Sequence, residues 1–114
     1  MTDAVAGLLA AYADSAERWH ELRTDARAAN PVFDENARLA RELRATPAGR
    51  AAIAELITHP ASGVRVLAAA HCMDAYPDDA VPVLETLAEG DDLHAIAAEH
   101  ALTEFRAGTL DLDD

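Results

Sequence analysis

The chain has 114 residues, half of them hydrophobic, a single cysteine, and 21 acidic against 9 basic side chains, for a net charge of −12. This is the length of one domain with a core of its own. It excludes an internal disulfide framework and argues against nucleic acid or anionic lipid as a partner. No apolar run reaches membrane-span length, and "MTDAVAGLLAAYADS" lacks the positive start and continuous apolar stretch of a secretory signal. A soluble, cytoplasmic, all-α protein is therefore expected, because Ala is abundant and β-branched residues are few.

Thr2 or Asp3 is expected to cap a first helix whose inner face carries Val5, Leu8, Leu9, Tyr12, Ala16, Trp19 and Leu22. Trp19 falls seven residues after Tyr12 and reads as core, with an exposed anchor as the alternative. Asn30-Pro31 is expected to end this segment. A second helix then runs over 32–45, with Val32, Asn36, Leu39, Ala40 and Leu43 inward and Arg38, Arg41 and Arg44 as a solvated stripe. Thr46-Pro47 starts a third helix over 47–58, since Pro loses no hydrogen bond at the first helical position. His59-Pro60 stops it.

Ser62 opens a fourth helix, 62–75, and Tyr76-Pro77 ends it. Asp78 or Asp79 is expected to cap a fifth, to residue 89, with Pro82 tolerated in its first turn and Gly90 closing it. Asp91 or Asp92 starts a sixth, 92–107, with Leu93, Ile96, Ala97, Ala101 and Phe105 inward. Gly108 ends that helix. Residues 1–107 form the domain, and 108–114 an acidic, loose tail.

The pattern repeats. "VRVLAAAHCM" (64–73) and "LHAIAAEHAL" (93–102) lie 29 positions apart and share their apolar positions, an Ala-Ala pair and a histidine, with Tyr76 and Phe105 at the same offset. The preceding helices match as well, Ile53 with Leu84 and Leu56 with Leu87, once a shorter second loop is allowed for. Each unit is a helix, a turn and a helix. Neither can bury its apolar face alone, which is the physical reason to stack them.

On these residues, "HPASGVRVLAAAHCM" resembles the HEAT-repeat signature, and "PDDAVPVLETLAEGDD" looks like the second helix of such a unit. The arrangement is similar to a small bacterial HEAT-like domain family of uncharacterised function. The resemblance covers about residues 47–107 and implies a right-handed array of about six helices, a short α-solenoid. It also implies that Arg65 ties adjacent turns together through Asp91 or Asp92. His94 stands where the second unit should repeat that arginine, as in a terminal, capping unit.

Chemistry is sparsely signalled. His71 and His100 occupy equivalent positions and could meet, with Cys72 and Glu99 nearby, as metal ligands or as packing residues at a seam; packing suffices. His94 and His100, six apart, do not share a helix face, and His20 and His59 have no companion at ligand spacing. Cys72 aligns with Ala101, as a small packing residue does. No glycine-rich phosphate loop occurs. No enzyme activity, metal or cofactor is expected.

Charge is the remaining signal. Residues 1–73 hold 9 acids and 8 arginines, net −1; residues 74–114 hold 12 acids and Arg106, net −11. A field so placed steers basic partners. The expected role is a protein-binding module that meets a basic protein through Asp78, Asp79, Glu85, Glu89, Asp91 and Asp92. Its concrete form is an immunity protein against a basic, nuclease-type toxin. The alternatives are a structural or oligomerisation element, or a HEAT-like enzyme subunit such as a chromophore lyase.

Overall fold

Helix starts follow the capping residues. In the computed structural model, which describes residues 2–112, the Thr2 hydroxyl accepts from the Val5 amide and opens α1 (Asp3–Glu21). Asp25 caps α2 (Ala26–Arg44) and Thr46 caps α3 (Pro47–Ala54), which tightens into a 3₁₀ turn over Glu55–Thr58. α4 spans Ser62–Cys72, α5 Pro77–Ala88 and α6 Leu93–Ala107, and no strand occurs among the described residues. The two final tail residues, 113 and 114, lie outside the described set.

Several boundaries differ from the sequence reading. The break between α1 and α2 falls at Leu22–Asp25, where the Leu22 amide bonds back to Arg18 and Trp19 and Asp25 begins the next helix. Pro31 lies within α2, past its first turn and exposed to solvent, where it forgoes its own backbone hydrogen bond and crowds the carbonyl of Arg27. α5 begins one residue before the aspartates: Pro77 takes the first helical position, and Asp78 and Asp79 lie in the first turn without capping. Gly90 does not close α5 in the left-handed region, which among the described residues only Gly108 occupies, at φ 75°.

Gly108 does more than end α6. The Gly108 and Thr109 amides bond back to the Phe105 and Glu104 carbonyls, a Schellman closure that turns the chain back on the body. Leu110 then packs against the core, so the tail is anchored up to that point rather than loose.

α4 is the centre of the body. It packs against α1, α3, α5 and α6, while α1 also holds α2 and α5 holds α6. The two matching decamers thus meet through α4 and α6. The equivalent pair α3 and α5 barely touch. The core contains Tyr12, Trp19, Leu43, Ile53, Val64, Met73 and Leu84, all buried. Removing each such side chain from water contributes roughly 1.5–3 kcal/mol. Trp19 is core, as its spacing from Tyr12 indicates. Small residues set the close approaches: a Cβ on Gly49 would overlap the Leu43 carbonyl, and one on Gly63 would sit 2.6 Å from His20 Cβ.

Arg44 departs furthest from expectation. Arg38 is exposed and only loosely paired with Glu42, at 3.7 Å, but Arg44 is buried instead of solvated. Its guanidinium grips both Asp74 oxygens at 2.8 and 2.7 Å and donates to the His71 carbonyl at 2.6 Å. That carbonyl belongs to the last turn of α4, where a cation also meets the negative end of the helix dipole. The Arg44 hydrogen bond holds the Asp74 carboxyl below the usual carboxylate range.

Arg44→Met keeps the side-chain volume and removes the grip. It should cost about 2 kcal/mol, because the His71 carbonyl loses a partner while the half-exposed Asp74 can rehydrate. A urea titration should show a lower midpoint with an unchanged slope. An unaltered midpoint would show that Arg44 contributes nothing to holding α2 on α4.

Candidate functional surfaces

Helix geometry sorts the six acids. At 100° per residue, Asp78, Glu85 and the C-cap residue Glu89 fall within about 40° of one another along α5. All three are exposed, as are Asp79 on the adjoining side and Asp91 and Asp92 in the α5–α6 turn. Glu85 is bound by Arg106 of α6 at 2.9 Å. Asp92 caps α6 through the Ala95 amide, as one of the two sequence candidates for that role. Beside the stripe, Pro82, Val83, Thr86, Leu87 and Arg65 line a shallow hollow of about 320 Å³.

Arg65 does not bridge to Asp91 or Asp92. It donates to the His59 and Pro60 carbonyls at 2.8 and 2.9 Å and so braces the turn before its own helix.

The histidines occupy different environments. His71 is 8% exposed and shares a 2.7 Å hydrogen bond between Nδ1 and the Tyr12 hydroxyl. Tyr12 is wholly buried, and burial raises its phenol pKa well above 10, so the phenol keeps its proton. His94 is almost fully buried. It lies between Trp19, with centroids 4.8 Å apart, and His20, stacked at 5.0 Å. Its Nδ1 meets the Ser62 hydroxyl at 3.0 Å, while Nε2 is buried with no hydrogen-bond partner. His20 Nδ1 accepts from the Gly63 amide, and His59 Nε2 lies 3.3 Å from Glu17.

Sequence reasoning paired histidines by repeat position and missed the contact between His20 and His94. The two rings come from α1 and α6, 74 positions apart, and no spacing rule connects them.

Cys72 is fully buried, and burial pushes its thiol up to about 11. Such a thiol stays protonated at neutral pH and is a poor nucleophile. Among the described residues, no three His, Cys, Asp or Glu side chains converge in a way that could hold a metal ion.

His71 and His100 do reach one feature in common, an open groove of about 540 Å³. α2 and α6 form its walls through Phe33 and Ile96, and α4 and Trp19 contribute to its floor. Ile96, expected inward, is instead 65% exposed on this wall, and Phe33 opposite is 41% exposed. Arg41 and His100 add polar groups, both exposed, and Leu110–Leu112 complete the lining.

Comparison of the chain with protein-family models, with curated proteins and with solved structures finds no match.

The buried histidines make stability depend on acid. Burial lowers the His71 pKa from 6.5 to about 4, with Arg44 and Arg41 adding to the effect. The unfolded chain therefore takes up a proton that the folded chain refuses as pH falls from 6.5 to 4. Stability contributed by the neutral ring is complete above pH 6.5 and is lost across that window, about 3 kcal/mol in all. His20 and His94, lowered mainly by burial, act in the same direction. Urea midpoints at pH 7 and pH 4.5 should differ clearly in the parent and less in His71→Gln. A parallel decline in both proteins would rule out His71 as a source of the effect.

Proposed function

We propose that the protein is a non-catalytic, HEAT-like binding module that receives a basic protein on the outer face of α5 and the α5–α6 turn. The observation that carries this reading is the alignment of Asp78, Glu85 and Glu89 on one exposed side of α5, continued by Asp91 and Asp92. Arg106, bound to Glu85, is the one base in residues 74–114, against 12 acids. Like charges held this close repel one another, and an incoming cationic surface relieves that repulsion. Val83 and Leu87, half-buried at the neighbouring hollow, offer apolar contact that would set the lifetime of the complex.

The HEAT-like part of the proposal is supported by the packing of α4 on α6, which joins the two halves of the repeated pattern. An immunity protein against a basic nuclease-type toxin is the concrete form of the role: its acids would stand in for a phosphate backbone. A chromophore-lyase role draws no support from Cys72, which is buried and weakly acidic.

The signature is kinetic. The partner captured from native cells should be basic, and its association rate should fall at least tenfold between about 50 and about 500 mM salt. Asp78→Lys with Glu89→Lys should slow association while leaving the circular dichroism melt nearly unchanged, because both positions are exposed. A neutral or acidic partner, or an association rate indifferent to salt, would overturn the proposal.

A further inference from the structure

We infer that the groove between α2 and α6, completed by the strap Leu110–Leu112, is a binding site for an amphiphilic monocarboxylate, an acyl or aromatic body with one carboxylate head. The site is separate from the acidic face of α5 and does not depend on the role proposed there.

Volume and walls come first. About 540 Å³ lies within the range of small-molecule sites, and the surroundings are mostly apolar. Phe33 and Ile96 are the two large hydrophobic side chains left exposed among the described residues, and both stand on the walls of this one groove. Exposed apolar surface concentrated at one place in a strongly charged chain marks a site that something covers.

The groove's polar groups indicate the head group. Arg41 belongs to the lining, is exposed, and forms no ion pair among the described residues. His100 from the other wall adds an imidazole able to hydrogen-bond. A planar guanidinium is suited to a carboxylate. The net charge of −12 opposes simple anions, so affinity has to come from apolar burial as well. That combination selects an amphiphile.

The strap completes the lining. Leu110, Asp111 and Leu112 all border the groove. The Schellman turn at Gly108 brings them there, and Leu110 is packed on the core. Aliphatic side chains at that margin add apolar contact for an acyl body.

Trp19 is the chain's one tryptophan and lines the groove, so its fluorescence reports occupancy. The full-length protein is titrated with dodecanoate below its micelle threshold. Dodecanol, dodecyltrimethylammonium and acetate serve as controls, and calorimetry provides a second readout. Dodecanoate should bind best and acetate should have no effect. Arg41→Gln should weaken dodecanoate about tenfold while leaving dodecanol unchanged. Leu110→Ser combined with Leu112→Ser should weaken dodecanoate several-fold. Ile96→Glu, at an exposed position and checked for folding by circular dichroism, should abolish binding. Absence of dodecanoate binding, equal or tighter binding of the cationic amphiphile, or unchanged affinity in either the Arg41 or the strap variant would overturn the inference.

Discussion

The buried polar chain through Tyr12, His71, Arg44 and Asp74 is the constraint on which the arrangement of helices rests. It joins α1 to α4 through the phenol and imidazole, and α4 to α2 through the guanidinium and the His71 carbonyl. On its other side, Ser15 and Asn36 Nδ2 both donate to the Tyr12 carbonyl, and Nδ2 also donates to Ser15 Oγ, joining α1 to α2. Apolar packing among alanines is weakly directional and would tolerate several rotations of one helix on another. Hydrogen bonds at 2.6–2.9 Å between three helices do not. A buried group that loses its partner costs more than the bond itself contributes, so wrong registers are penalised.

The same network explains why the two sides of the molecule have different chemistry. Arg44 is drawn inward by Asp74 and the α4 terminus, which leaves Arg41, one turn earlier, on the lining of an apolar groove. α5, also packed on α4, carries its acids outward, and Arg106 from α6 binds Glu85. An anionic face and an apolar groove with a cationic group thus both adjoin one central helix. They have no side chains in common apart from the helix that supports both, so the two surfaces can be varied independently.

Periodicity made most of this legible. The inward face of α2, the core position of Trp19, the Thr46-Pro47 start and the Asp92 cap are all readable from spacing and capping chemistry, because they depend on residues within a few positions of each other. The failures share the opposite property. Arg44 looks like any exposed arginine at i+3 from Arg41 until Asp74 arrives from 30 positions away. Pro31 has the form of a helix breaker, yet α2 runs through it, because the Asp25 cap and the packing of α2 on α1 outweigh the backbone hydrogen bond it removes. Ile96 has the right phase for the core but lies on a side of α6 where no further helix covers it. Burial at that position is a matter of topology, to which amphipathic phase is blind.

That last point also settles why two equivalent histidines have unequal fates. His71 and His100 hold the same place in the repeated pattern, and a pattern alone would bury both. α4 is packed against α1, α3, α5 and α6, so the face that carries His71 is enclosed and the ring takes a partner, Tyr12. α6 is followed, among the described residues, by no further helix, and the strap beyond Gly108 borders the groove on its corresponding side. His100 is left exposed for the same reason that Ile96 is. On that side Ile96 and Ala97 stay apolar, and Leu110 is folded back toward the core. Apolar surface retained in so acidic a chain forms half of a groove, and Phe33 and Arg41 on α2 supply the other half.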